Sequence, residues 1–369
     1  MTISWSKEWF RGVEPPAFGL DFSDHSIKLI ALEEHGKRLR LASWGRASVP
    51  GGLIEKGEIR DEAGVTAVLQ ALLHDGVRGE RLPSRYVVLS LPEQHSFVRV
   101  LELPALGSAQ LSEAVRWEAE SNIPLPISEM ELGWEEIVSP SGREAHAEVL
   151  VAATPKKIVA SYLAVLRGAG LMPKVLEVES MALSRSVVPG FESVEPVLIM
   201  DLGETDTSFV IFADAVVQFT SSVSISGAEF TRAISGELNI TEGEAEKLKA
   251  SAGLDPGVDK GRVASVLKPL IDGLVAQIKA YLQFYREHAP PGHVHHTQIN
   301  QVLMTGGGAN MGGLAQYLSR RLNLSVEPAN PWVNVLPQPL KEVPAISYQE
   351  SLAYATAIGL AIRGVQSSI

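Results

Sequence analysis

The sequence predicts an α/β protein of two related lobes with a small α+β module inserted into the first, and three observations carry that prediction. An apolar strand ending in Asp, a short turn and a second strand occur near the start, Phe18-Gly19-Leu20-Asp21-Phe22 followed by 26–32. The same order returns in the second half, where 197–203 runs through Asp201 and a turn into 207–212. Two Asp-led hairpins, one in each half, mark a duplicated fold. Between them, residues 86–159 read strand, strand, helix, strand, strand, helix, a module of its own set into something larger.

Each element follows from its local pattern. In the first unit 18–22 and 26–32 have strand-like apolar spacing, Ser23-Asp24-His25 is the tight turn between them, and a strand around 39–47 continues the meander. Val65, Val68, Leu69, Leu72 and Leu73 recur at helical spacing over 61–74. In the insert, strands at 86–92 and 96–103 precede a helix over 108–121, with Ser108 and Ser112 as start residues and Pro124 and Pro126 as stops. Strands near 131–138 and 147–153 and a helix over 156–169 follow. After the second hairpin come a strand over 215–221 and helices over 229–238, 242–251 and 263–287. A strand at 298–304 runs into Gly306-Gly307-Gly308, and helices over 311–322 and 351–363 close the chain. The division is then a first lobe over 1–85, completed by about 160–195; the insert over 86–159; a second lobe over 196–233, completed by 298–369; and a helical subdomain over 234–297.

Composition removes several functions. The 369 residues are 45% hydrophobic and 20% charged, enough for two or more packed cores. Lys and Arg total 32 against 43 acidic residues, a formal charge of -11 without a basic tract, which disfavours a nucleic-acid partner. No cysteine is present, so disulfides, thiolate zinc sites, iron–sulfur clusters and cysteine nucleophiles are excluded. Trp5, Trp9 and Phe10 alternate with Lys7, Glu8 and Arg11, which is not the apolar core of a signal peptide. No run of about 18 uncharged apolar residues follows. A cytoplasmic protein that meets membranes only through a partner is the expectation.

Three motifs could hold a phosphorylated ligand. The turn after Asp21 offers backbone N–H groups and the hydroxyls of Ser23 and Ser26 to phosphate, with Lys28 to neutralise it and Asp21 to orient a hydrated magnesium ion. The turn after Asp201 repeats the arrangement: Gly203 permits close backbone approach and Thr207 supplies a hydroxyl. In Gly306-Gly307-Gly308 bare backbone could accept a flat ring such as adenine, and the helix expected to open there favours phosphate. Glu246 and Lys249, three apart on a helix, share a face that could reach ribose and base, although such a pair is more often a solvated charge face. His293, His295 and His296 beside Pro290-Pro291 read as a solvated loop, and Trp117 and Trp134 as core or interface anchors.

Together these motifs resemble the actin-like ATPase superfamily, in which two phosphate hairpins and a glycine-rich adenosine loop converge on ATP between two lobes of duplicated ribonuclease H-like domains. Within it the sequence is similar to the PilM family of type IV pilus assembly proteins. It carries Leu101-Glu102-Leu103-Pro104, Glu118-Ala119-Glu120-Ser121-Asn122-Ile123-Pro124, Gly227-Ala228-Glu229-Phe230-Thr231-Arg232-Ala233-Ile234 and Tyr354-Ala355-Thr356-Ala357-Ile358-Gly359-Leu360-Ala361, in the family's order. The resemblance implies a cytoplasmic protein, peripheral to the inner membrane, that binds ATP or ADP with magnesium. It implies that the short cytoplasmic N-terminal tail of the inner-membrane protein PilN is the partner, held in a groove between the insert and the first lobe. Other inner-membrane components of the pilus platform, and self-association, are further implied contacts. Carried over by position, Asp21, Ser23, Asp24, Ser26, Lys28, Asp201, Gly203, Thr207, Gly227, Glu246, Lys249 and the three glycines 306–308 line the nucleotide. Asp21 and Asp201 would hold magnesium through water, and Asp201 is the candidate for positioning the attacking water.

The first hairpin departs from the family's Asp-x-Gly-Ser, because Ser23 replaces the glycine and Asp24 follows. A carboxylate beside a triphosphate repels it by about 1 kcal/mol in water and several times that when desolvated, unless a metal intervenes. Glu204 and Asp206 make the second turn acidic too. The expectation is that nucleotide binds and hydrolysis is slow or absent, at most a weak ATPase. Rival readings are a phosphotransferase of the same superfold, for which no catalytic motif is seen, and an FtsA-like cytoskeletal protein, whose terminal amphipathic helix has no counterpart in Gly364-Val365-Gln366-Ser367-Ser368-Ile369. The cytoplasmic half of a GspL-like secretion protein would continue into a transmembrane helix.

Overall fold

The computed structural model describes residues 15–366 except 37, 105, 124, 138–145, 192, 194, 289–297 and 338–343. The aromatic N-terminal residues, the histidine loop, Pro124 and the last three residues lie outside the described residues.

The first lobe begins with β1 (Phe18–Ser23), β2 (Ser26–His35) and β3 (Arg38–Ser48), a small hairpin of β4 (Ile54–Glu55) and β5 (Glu58–Ile59), then α1 (Glu62–Ala71), β6 (Val77–Gly79) and β7 (Tyr86–Leu91). The insert holds β8 (Phe97–Pro104), α2 (Ser108–Asn122), β9 (Met130–Ile137) and β10 (His146–Pro155). The chain returns through α3 (Lys156–Gly168), β11 (Met172–Val178) and α4 (Glu179–Val187). The second lobe comprises β12 (Val197–Leu202), β13 (Thr207–Ala213), β14 (Val216–Val223), α5 (Gly227–Leu238), α6 (Glu242–Ser251), α7 (Arg262–His288), β15 (Gln301–Thr305), α8 (Leu314–Leu322), β16 (Ser325–Pro328), α9 (Tyr348–Ser351) and α10 (Ala355–Gln366).

The duplication is visible in strand order. In the first sheet β3, β2 and β1 form an antiparallel meander and β1 continues in parallel to β7 and β11. In the second, β14, β13 and β12 form the meander and β12 continues in parallel to β15 and β16. Central strands such as β1 and β12 are apolar along nearly their whole length because helices cover both faces, whereas β3 alternates between buried and exposed. Tyr86–Leu91, expected to open the insert, instead lies between β1 and β11 in the first sheet, because its apolar run is buried on both faces there. The inserted strands extend the second sheet, β8 pairing with β14 at Arg99 and Phe219, while α2 covers their other face with Leu111, Val115 and Ala119.

Helices α4 and α10 tie the lobes. A Cβ at Gly359 of α10 would collide with the backbone of Ala182 in α4, so the two helices cross backbone against backbone. This accounts for the small residues of the Tyr354–Ala361 segment. Arg185 of α4 makes a bidentate pair with Glu177 at 2.6 and 3.1 Å, and Arg363 of α10 reaches the same carboxylate at 3.1 Å. Trp117 and Trp134, read as core or interface anchors, are not core residues: both are exposed on the insert.

Candidate functional site

The two hairpins carry equivalent anchors. Asp21 lies in the second half of β1 opposite Lys28, whose Nζ lies 2.9 Å from its Oδ2, and Ser90 on the parallel neighbour β7 donates to its Oδ1 at 2.9 Å. Asp201 is the penultimate residue of β12, and Thr305 on the parallel neighbour β15 donates to its Oδ1 at 2.8 Å. In each lobe, therefore, a hydroxyl on the adjacent parallel strand fixes the hairpin Asp. Across the second hairpin Ser208 stands where the first has a lysine.

In the first turn Ser23 Oγ accepts Ser26 N–H at 3.2 Å and donates to Ser26 O at 3.0 Å, closing the turn on itself. The Asp24 carboxylate is engaged by the neighbouring small hairpin, accepting Lys56 N–H at 2.7 Å and Gly57 N–H at 2.8 Å. The second turn is closed by Gly203 N–H donating to Asp206 O at 2.9 Å. Thr207, read as a phosphate hydroxyl, is fully buried and donates to Ile225 O at 2.6 Å.

The glycine run also differs from expectation. Gly307–Asn310 is a single 3-10 turn and α8 starts only at Leu314, so no helix N-terminus opens at the glycines. Gly306 has φ +80°, and a Cβ there would lie 2.7 Å from Asp201 Oδ1 and closer still to Leu202 O. A Cβ at Gly308 would overlap the Leu202 side chain, whereas one at Gly307 would meet nothing. Two of the three glycines let the loop pack onto the second hairpin, and Gly307 alone presents open backbone.

Gly227 begins α5 and donates to Gly203 O at 2.9 Å, seating the helix on the second turn. Its carbonyl accepts Lys249 Nζ at 2.9 Å, and Lys249 also donates to Thr231 Oγ1 at 2.8 Å and pairs with Glu246 at 2.6 Å. Lys249 is thus a buried clamp between α5 and α6, with Glu246 at its exposed rim.

Two acids not singled out in the sequence lie here, Glu179 as the first residue of α4 and Glu93 in the turn between β7 and β8, and they join Asp206, already read as making the second turn acidic. Burial, with the charges of Asp21, Asp206 and Glu93, holds the Glu179 carboxyl well above the usual range. Burial likewise raises Glu93 and Asp206. Asp201 is pushed up to about 6, chiefly by burial, against the pull of Thr305 and Lys28 and with help from Asp206 and Asp21. Lys28 and Asp21 of one lobe act on Asp201 of the other, so the two hairpins lie near each other. This excess of carboxylates suits a ligand that brings a hard divalent cation with it. Among the described residues no three carboxylates or imidazoles cluster closely enough to cage a metal directly. The donor set fits a cation held through water and phosphate oxygens.

The family described as type IV pilus assembly protein PilM matches residues 19–365. Among solved structures, the PilM-PilN type IV pilus biogenesis complex matches with a TM-score of 0.79 and 30% identity, over 95% of this chain and 98% of that one. The ethanolamine utilization protein EutJ from Carboxydothermus hydrogenoformans matches at TM-score 0.55 and 16% identity, over 95% of this chain and 91% of that one. MreB5 of Spiroplasma citri bound to ADP matches at TM-score 0.55 and 14% identity, over 97% and 98%. These two share the fold. With its duplicated strand order and paired Asp-led turns, the chain has the actin-like fold and belongs to the PilM family of type IV pilus assembly proteins.

Proposed function

We propose that this chain is a nucleotide-binding adaptor of type IV pilus assembly. In this reading it lies at the cytoplasmic face of the inner membrane and holds the N-terminal cytoplasmic peptide of a PilN-like protein. The observation that carries the reading is the match, over nearly the whole chain, to a PilM solved with PilN. Among the described residues no helix is long and apolar enough to cross a membrane, which fits attachment through a partner.

The nucleotide half of the proposal rests on the paired turns. ATP or ADP lies between them, with its phosphates against the turns after Asp21 and Asp201 and its base over the open backbone at Gly307. Magnesium, held through water by Asp21 and Asp201, supplies the positive charge that lets polyphosphate approach five carboxyl groups: Asp21, Glu93, Glu179, Asp201 and Asp206.

The test is a titration of the chain with a peptide of the first dozen or so residues of the PilN-like protein, with and without MgATP. Binding of the peptide supports the adaptor. Absence of peptide binding, together with phosphate transfer to a small substrate, replaces it with a phosphotransferase. Peptide binding without any heat of MgATP binding leaves an actin-like scaffold.

A further inference from the structure

The inserted module is entered through the turn Glu93–His95, and each of its three side chains reaches a different part of the nucleotide site. Glu93 and the start of α4 hold each other: Glu179 Oε2 accepts Glu93 N–H at 3.3 Å, and Glu93 Oε2 accepts Ser180 N–H at 3.1 Å. The other oxygen of the Glu93 carboxyl, Oε1, is buried without a partner. The Gln94 side chain lies beside Asp206, the last residue of the second phosphate turn, and draws its carboxyl down against the rise that burial causes. His95 Nε2 lies 2.8 Å from Lys56 O, on the small hairpin whose Lys56 and Gly57 amides hold Asp24 of the first phosphate turn.

A plain linker requires none of this. Placing one buried carboxyl beside another and leaving an oxygen unpaired is destabilising, and such arrangements concentrate where a site needs them. We propose that Glu93, Gln94 and His95 are positioning residues of the nucleotide site: Glu93 sets Glu179, Gln94 sets Asp206, and His95 sets the hairpin that anchors Asp24. One turn at the root of the insert thereby aligns both phosphate turns and the acid at the head of α4. The proposal rests on the nucleotide reading above only for its ligand, and two measurements on the full chain keep the two apart.

Hydrogen exchange without nucleotide tests the alignment by itself. Glu93→Ala speeds exchange of the Ser180 amide by about tenfold, the loss of one hydrogen bond to a charged group, and Gln94→Ala speeds that of the Gly203 amide, which closes the turn ending at Asp206. Glu93→Gln keeps an acceptor oxygen and restores protection of Ser180. Unchanged exchange in both alanine variants overturns the proposal whatever the nucleotide does. Calorimetry with MgATP tests the consequence. Gln94 is exposed, so its variants keep the thermal midpoint of the parent chain. Gln94→Ala binds MgATP about tenfold more weakly, and Gln94→Glu, which sets a carboxylate against Asp206, more weakly again. Parental affinity in both Gln94 variants overturns the proposal. If the parent chain itself binds no MgATP, the nucleotide reading falls and the exchange result alone decides the alignment.

Discussion

Asp24 accepts the Gly57 amide at 2.8 Å, which engages the acidic residue of the first phosphate turn on a neighbouring hairpin. Lys56 and Gly57 both have positive φ, +52° and +76°, and a non-glycine residue holds that conformation only when its surroundings enforce it. Asp24 from one side and the Tyr162 hydroxyl, donating to Gly57 O at 2.9 Å, from the other supply that enforcement. Asp24→Ala should therefore cost about 2–3 kcal/mol of stability, as expected for lost hydrogen bonds to a charged group. It should not tighten MgATP binding. Denaturant unfolding paired with calorimetry checks this, and a tighter-binding variant of unchanged stability would return Asp24 to the role of a repulsive charge.

The three consecutive glycines should separate under substitution. Gly306→Ala forces a side chain into the left-handed region and against Asp201, and Gly308→Ala meets Leu202, so both lower the thermal midpoint. Gly307→Ala meets nothing, so it should leave stability within about 0.5 kcal/mol of the parent. It should still weaken binding of a fluorescent ATP analogue, because the added methyl stands where the base is placed. Equal loss of stability at all three positions would contradict the packing account.

The paired hairpins were legible because a strand ending in Asp, a turn and a second strand are local features, and register follows from a tight turn. β11 and α4 were not. Pro173 and the register shift between Pro173 and Val175 break the alternation of β11, and its first half is exposed or half-buried. In α4, Ser180, Ala182, Leu183, Ser184, Arg185, Ser186 and Val187 are all buried, so no amphipathic stripe announces a helix. Glu179, at the junction of these two elements, was hidden with them. The placement of β7 was unreadable for another reason: its apolar run is plain, but parallel pairing with β1 and β11 is decided by distant parts of the chain. For the glycine run, a local motif was legible while its cause, packing against Leu202, was not.

Asp201 makes the empty protein's stability depend on pH. Burial lifts its carboxyl from an ordinary 3.8 to about 6, so between those values the folded chain holds a proton that the unfolded chain has released. Stability through this residue therefore rises as pH falls across that window, by an amount on the order of 2–3 kcal/mol when complete. Asp201→Asn resembles the protonated form and can still accept from Thr305. It should exceed the parent in stability near pH 7 and lose most of that advantage near pH 4, in unfolding curves recorded without magnesium. A variant with the parent's pH profile would place the titration elsewhere, with Glu179 and Glu93 as the next groups to replace.

Glu246 and Lys249 form one ion pair but should fail differently. Lys249 has a side chain only 9% exposed and bridges Gly227 O and Thr231, whereas the Glu246 side chain is 58% exposed. Lys249→Met keeps the apolar stem and removes the ammonium, leaving Gly227 O and Thr231 without that donor at the seat of α5 on the second turn. A loss of about 2–3 kcal/mol is expected, since hydrogen bonds to a buried charge are lost. Glu246→Gln removes one partner of a largely solvated pair and should cost under about 1 kcal/mol. If ribose lies along α6, the same Glu246→Gln weakens MgATP binding by about tenfold, one charged hydrogen bond's worth. The contrast is what decides: stability lost at Lys249 and affinity lost at Glu246 place the ligand at the exposed rim of the clamp, whereas unchanged affinity in Glu246→Gln makes the pair a structural joint between α5 and α6.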